Sequence, residues 1–210
     1  MKHQFTLPAK SLAFLFAVLL VAPGARAQET IALEEAQKIA QKLASVRIEP
    51  SDQPFTVEID ADKPVGIKGG EAGLILMPDK RFNADSLANA DKKVTPVAQL
   101  WTYKINLANN GMTLENGKLR TITVRDGDKT RDVQLFLLGV AKNEQGVVEL
   151  LIFGKGSEPV LRVPLSKSGG GTQNLPIEIS GRKSGEDSAA LTLNLSGQYS
   201  AEITAVKVND

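Results

Sequence analysis

The chain has 210 residues, with 25 basic and 24 acidic side chains, no cysteine and one histidine, His3. The absence of cysteine excludes disulfide bonds, thiol redox chemistry and cysteine nucleophiles. His3 lies in an N-terminal segment that we expect to be removed, so the mature chain cannot form a Ser-His-Asp centre, a histidine-ligated haem or a zinc site of nitrogen and sulfur ligands. We therefore expect no metal and no cofactor.

Residues 1–27 have the three parts of a secretory signal peptide. Lys2 and Lys10 make the amino end positive, and residues 12–21 form an uninterrupted apolar run, LAFLFAVLLV. Residues 25–27 (ARA) place small side chains at the two positions that signal peptidase inspects. The apolar run is about half the length of roughly 20 residues that a membrane span requires. We expect cleavage just before Gln28 and export to the periplasm or the extracellular space, without membrane insertion.

Cleavage would leave 183 residues, with 22 basic and 24 acidic side chains and a net charge of −2. This balance gives no electrostatic reason to expect binding to nucleic acid or to an anionic membrane surface. The length is sufficient for one well-buried core. We expect an N-terminal helical segment over residues 28–47 and a single β domain over residues 48–210.

Residues 30–46 have the pattern of one amphipathic helix. Thr30 is a suitable N-cap, acidic side chains come early and basic ones come late, as the helix dipole favours. The apolar stripe consists of Ala32, Ala36, Ile39, Leu43 and Val46. We expect this helix to cover one edge or end of a sheet. The alternative, a coiled-coil or partner-binding helix, requires a heptad pattern sustained over more turns.

After the helix the hydrophobic period changes to two, which is typical of half-buried strands. Apolar and polar residues alternate over residues 55–59, 101–107, 175–179 and 191–195. Two further stretches, residues 73–77 (GLILM) and 147–153 (VVELLIF), are more continuously apolar and suit central strands.

Turn signals between the strands predict antiparallel pairing. They are Asn116-Gly117, Asp126-Gly127, residues 143–146 (NEQG) and residues 156–159 (GSEP). Asn-Gly and Asp-Gly supply the positive φ angles of tight hairpins. Residues 112–165 should then form a meander of about five strands, within a total of about nine or ten. The sequence therefore predicts a mainly β fold, an antiparallel two-layer β-sandwich of immunoglobulin-like or jelly-roll-like type.

Two long connections interrupt this pattern. Residues 78–93 are polar, and Asn83 is placed to cap a short helix within them. Residues 166–174 form a glycine-rich loop. Either loop is a place where a binding surface could lie.

Glu149 is the one carboxylate that interrupts an apolar strand. It shares a strand face with Val147, Leu151 and Phe153, and an acid among aliphatic side chains is the kind of group a general acid requires. A glycosidase would need a second carboxylate at a defined separation. There are two alternatives: the face that carries Glu149 is the less buried face of the strand, or Glu149 forms an ion pair with a base on a neighbouring strand, for which Arg131, Lys142 and Arg162 are available.

Three aromatic side chains are candidate ligand-binding residues. Trp101 and Tyr103 could stack on a sugar, but their alternation with Ile105 and Leu107 places all four on one face and favours a core role. Tyr199 opens the last strand, where it could be exposed.

These patterns favour a non-catalytic binding or structural role for an exported β-sandwich, with an unknown protein or carbohydrate as partner. The alternative is a carboxylate-dependent, glycosidase-like hydrolase that uses Glu149. The oligomeric state does not follow from the sequence.

Overall fold

The computed structural model describes residues 28–46, 48, 53–109, 111–126, 129–169 and 171–208. The expected signal peptide, residues 1–27, lies outside the described part of the chain. In chain order the described elements are β1 (Glu29–Thr30), α1 (Leu33–Ala44), β2 (Val65–Gly69), β3 (Ala72–Pro78), α2 (Ala84–Ala88), β4 (Thr95–Tyr103), β5 (Ile105–Asn109), β6 (Met112–Thr113), a short 3-10 helix (Asn116–Lys118), β7 (Thr121–Asp126), β8 (Lys129–Lys142), β9 (Val148–Phe153), β10 (Pro159–Pro164), β11 (Ser166–Lys167), β12 (Ile177–Lys183), β13 (Ser188–Leu195) and β14 (Tyr199–Lys207).

The strands form two antiparallel sheets. The large sheet has the order β1-β2-β3-β4-β8-β9-β10, and β7 also pairs with β8. Gln134 of β8 pairs with Thr102 of β4 on one side and with Thr121 of β7 on the other, so β7 and β9 follow one another along the same edge of β8. The small sheet has the order β12-β13-β14-β5-β6, and β11 also pairs with β14.

The main hydrophobic core lies between the two sheets. The large sheet contributes Leu100, Phe136 and Ile152, and the small sheet contributes, among others, Leu191 and Leu193. These side chains are fully buried, and each stabilises the fold by about 1.5–3 kcal/mol relative to an exposed position. The mainly β, antiparallel fold predicted from the sequence is confirmed, and the packed sheets are consistent with a β-sandwich.

A second core covers the opposite face of the large sheet, which we call the outer face. Helix α1 packs its small side chains Ala36 and Ala40, together with Leu43, against this face. Residues 53–59 cover another part of it, where the rings of Phe55 and Phe153 meet edge to face with centroids 5.3 Å apart. The large sheet is therefore apolar on both faces, which explains the continuously apolar sequences of β3 and β9.

Local turn signals predicted several connections correctly. Hairpins join β7 to β8, β8 to β9 and β9 to β10, with Gly146 and Gly156 at φ angles of 79° and 93°. Asn83 caps α2 with a capping box, because its side chain accepts hydrogen bonds from the backbone N–H groups of Asp85 and Ser86. Each of these features depends on residues close in sequence.

The predicted strand over residues 101–107 is wrong, because the chain changes sheet at Lys104. This residue has a φ angle of 54°, which ends β4 in the large sheet and starts β5 in the small one. Leu107 consequently lies in the core between the sheets, whereas Trp101 packs in the outer-face core. The expectation that these residues share one face is therefore wrong as well.

Three other predictions are corrected. Residues 55–59 form an extended segment with a single bridge, Ile59 to Asp79, instead of a strand. The N-cap of α1 is Ala32 and not Thr30, which belongs to β1 and pairs with Ile67. Asn116-Gly117 forms a 3-10 turn instead of a hairpin, because β6 lies in the small sheet and β7 in the large one. The predicted five-strand meander is thus the four-strand series β7 to β10.

Candidate functional site

A groove of about 720 Å³ lies on the outer face of the large sheet, between α1 and the β7–β8 hairpin. We call it the outer groove. Its position follows from what covers the outer face: α1 lies over β2 and β3, and residues 53–59 lie over another part of the face. The part of the face beside the β7–β8 hairpin is left as a depression between these layers.

The floor of the outer groove is apolar because of the strand register. Ile75 of β3 pairs with Trp101 of β4, which in turn pairs with Leu135 of β8, so their side chains share the outer face. One wall of the groove is formed by α1 and the residues just after it, through Ile39, Leu43 and Val46. Val124 and Val133, on the hairpin, form the other.

Charged side chains surround the mouth of the outer groove. Lys68 of β2 forms an ion pair with Glu35 of α1 at 3.4 Å. Glu71, in the turn between β2 and β3, contacts Lys104 at 3.1 Å. The guanidinium group of Arg131 lies over the ring of Tyr103, 5.3 Å from its centroid, where a cation is attracted by the aromatic face.

The structure places two of the three predicted aromatic residues at this groove. Trp101 is only 2% exposed, and its indole N–H donates a 3.0 Å hydrogen bond to Oε1 of Gln99. Tyr103 is half-buried and lies nearer the mouth. Tyr199 lies on β14 of the small sheet and packs against the core between the sheets, so it does not join the other two.

Glu149 lies on the outer face near the far edge of the large sheet and is not among the residues that line the groove. Its side chain is 13% exposed and 3.7 Å from Nη1 of Arg162, on the neighbouring strand β10. Its Oε1 accepts a 2.8 Å hydrogen bond from the side chain of Asn143. Arg162 is one of the three bases that the sequence offered as a partner.

Asp79 is a buried carboxylate that the sequence patterns did not single out. It is 1% exposed and accepts hydrogen bonds from the backbone N–H groups of Glu58 and Arg81, both at 2.8 Å, and from the Arg81 guanidinium at 2.9 and 3.0 Å. Burial alone would raise the pKa of Asp79, but these hydrogen bonds outweigh it and hold the pKa below its ordinary value. Asp79 thereby ties the covering segment around Glu58 to the end of β3.

The predicted loops do not contribute to the groove. Its described lining includes no residue from 78–93 or from 166–174. Gly73 is one of the groove residues that the sequence patterns did not single out, although a glycine inside an apolar strand can mark a place where a ligand or another backbone approaches closely.

Within the described ranges, no group of three or more histidine, cysteine, aspartate or glutamate side chains is placed to hold a metal ion. None of the helices in those ranges is long and apolar enough to cross a membrane.

Comparison with known protein families found none that the chain matches, and no curated protein or solved structure matches it either.

Proposed function

We propose that the mature protein is an exported β-sandwich that binds an apolar ligand, without catalysis, in the outer groove. The observation that carries the proposal is the groove itself: a cleft of about 720 Å³ whose floor is formed by Ile75 and Trp101. Ligand sites in proteins are typically clefts of about 300–1,000 Å³ with apolar walls and few polar groups. Export to the periplasm or the extracellular space, and the immunoglobulin-like or jelly-roll-like subtype, belong to the same proposal.

The polar groups around the groove support binding better than catalysis. The two acidic residues of its described lining, Glu35 and Glu71, each form an ion pair with a lysine. General acid–base chemistry instead needs a titratable group within hydrogen-bonding reach of the reacting atoms. Glu149, on which the hydrolase hypothesis depends, lies outside the groove and contacts Asn143 and Arg162.

The test uses the only tryptophan of the chain, Trp101, as a reporter on the groove floor. Titration with the neutral dye N-phenyl-1-naphthylamine should raise the dye's fluorescence and quench that of Trp101, because the dye enters the groove. Gly73→Val should abolish both signals. The atoms nearest to a Cβ at Gly73 belong to β2: the backbone oxygen of Ile67 lies at 3.3 Å, which is a tight contact, and Cβ of Lys68 lies at 3.7 Å. The backbone of β2 must therefore shift by a few tenths of an ångström to admit valine, whose side chain then occupies the mouth of the groove.

Gly169→Val is the matched control, because Gly169 lies in the loop after β11 with open space around it. Ile39→Phe fills the groove from the α1 side and serves as a second variant if Gly73→Val unfolds. Dye binding that persists unchanged in both folded variants would refute the outer groove as the site.

A further inference from the structure

The mouth of the outer groove contains a gap between two cationic side chains. In the strand register, Lys68 of β2 pairs with Gly73 of β3, and Gly73 pairs with Tyr103 of β4. These three residues share the outer face, and Gly73 has no side chain, so an opening lies between Lys68 and Tyr103. Arg131 lies over Tyr103 on the far side of this opening.

The charge of the lining is positive. Among the residues that the structure describes, four basic and two acidic ones line the outer groove, a surplus of two positive charges in a mature chain whose expected net charge is −2. The basic residues are Lys42, Lys68, Arg125 and Arg131. Cations beside a low-dielectric wall concentrate field lines and favour an anionic group at the mouth.

The groove changes from polar to apolar between two adjacent rows of paired residues on the outer face of the sheet. The row at the mouth contains Lys68, Gly73 and Tyr103, whereas the adjacent outer-face row contains Ile75, Trp101 and Leu135. A ligand that matches both rows has a charged head and an apolar body. A sugar would match poorly, because the indole N–H of Trp101 already donates to Gln99 and the other side chains of this row, Ile75 and Leu135, offer no hydrogen bond.

We propose that the outer groove binds a single-chain anionic amphiphile, such as a fatty acid. The aliphatic chain lies over Ile75 and Trp101, and the carboxylate occupies the opening at Gly73 between Lys68 and Arg131. This inference rests on the proposed function, and it adds the chemical class of the ligand and the residues that select its head group. Since each buried methylene contributes a roughly constant free energy, affinity should rise by about fourfold for each one added, until the groove is filled.

The experiment compares three ligands with the same chain and different heads: dodecanoate, dodecanol and dodecylamine, each below its micellar concentration. Each displaces N-phenyl-1-naphthylamine from the full mature protein at neutral pH. We expect dodecanoate to displace the dye at a concentration at least about tenfold lower than dodecylamine does, with dodecanol between them.

Two variants identify the head-group contacts. Lys68→Gln and Arg131→Gln should each weaken the binding of dodecanoate by about tenfold and leave the binding of dodecanol unchanged, because each variant removes a positive charge from the mouth. Lys92→Gln is the matched control, since Lys92 is an exposed lysine that pairs with Glu144 and is absent from the groove lining.

The outcomes separate the two proposals. If neither the dye nor any of the three ligands binds, the proposed function fails. Two results would show that the groove is a binding site but would refute its selectivity for anions. The first is that dodecanol or dodecylamine binds as tightly as dodecanoate. The second is that Lys68→Gln and Arg131→Gln leave the affinity for dodecanoate unchanged. If light scattering shows a dimer that Gly73→Val converts to a monomer, the groove belongs to a second copy of the chain and the amphiphile proposal is overturned.

Discussion

At the scale of single residues, Asp79 illustrates how a buried charge can stabilise a fold. Four hydrogen bonds from Glu58 and Arg81 compensate for the loss of hydration of its carboxylate. Because the bonds hold the pKa below the ordinary value of 3.8, the ionised group favours the folded state above that pH. This stabilisation is lost as the pH falls through the pKa that Asp79 has in the folded protein.

Asp79→Asn should destabilise the protein by about 1–3 kcal/mol at neutral pH, because it removes hydrogen bonds to a charged acceptor. The difference from wild type should begin to shrink below about pH 4, where the carboxylate of the unfolded chain takes up a proton, and should continue to shrink as the pH falls through the lower pKa of Asp79 in the folded protein. Thermal melts of both proteins across this range measure the effect. Asp91→Asn is the control, since Asp91 accepts a backbone hydrogen bond from Lys93 at an exposed position. A difference that stays constant down to acidic pH would contradict the assigned role of the charge.

Glu149→Gln should change the free energy of unfolding by only about 0–1 kcal/mol, because the partner Arg162 is 56% exposed and solvent screens the pair. Glutamine retains an oxygen that can accept the hydrogen bond from Asn143. Chemical denaturation at neutral pH measures the change, and Glu202→Gln, which removes an exposed ion pair with Arg182, is the matched control. A variant clearly more stable than wild type would mean that the buried charge of Glu149 costs stability, and it would revive the hydrolase hypothesis.

At the scale of elements, the sequence predicted what depends on neighbours in the chain. The apolar runs of β3 and β9 indicated central strands, and Asp126-Gly127 indicated the β7–β8 hairpin. Asn83 predicted the start of α2. In each case the relevant physics is the φ angle, the capping hydrogen bond or the burial of a short segment.

The change from one sheet to the other at Lys104 could not be predicted from neighbouring residues in the chain. The alternation continues through it, from Trp101 to Leu107, with no glycine or proline to mark a break. A lysine in the left-handed region is uncommon, and here it forms an ion pair with Glu71 and lies 5.8 Å from the Tyr103 ring centroid. These long-range contacts favour the conformation, and they are invisible to local patterns.

The outer groove was unpredictable for a related reason. Its walls come from residues near 40 and near 130, and its floor comes from three strands between them. The sequence indicated that Trp101 and Tyr103 are apolar-face residues, but their face depends on the sheet to which they belong. Gly73 leaves an opening in the groove only because Lys68 of β2 and Tyr103 of β4 lie on either side of it, and these pairings are not visible in the local sequence.

At the scale of the whole molecule, the two strands that end the order of the large sheet, β1 and β10, are protected edges. At one end β1 has only two residues, and at the other β10 begins and ends with Pro159 and Pro164. Short edge strands and prolines discourage pairing with another chain, because they offer few free backbone donors. These two edges are therefore poor places for a partner strand to pair, in contrast to the open outer groove.

We expect signal peptidase to cut the chain just before Gln28. Gln28 packs against Gly181 of β12, and β1 pairs directly after it with Lys68 and Ile67 of β2. We expect the exported protein to have the intact mass of residues 28–210, or that mass less one ammonia if its N-terminal glutamine has cyclised. Ala27→Lys should block cleavage, because signal peptidase requires a small residue there, whereas Arg26→Lys should be processed normally. Mass spectrometry of the wild type and the two variants shows whether residues 1–27 have been removed from each. Wild-type protein that retains residues 1–27 in a membrane fraction would refute export of a free protein.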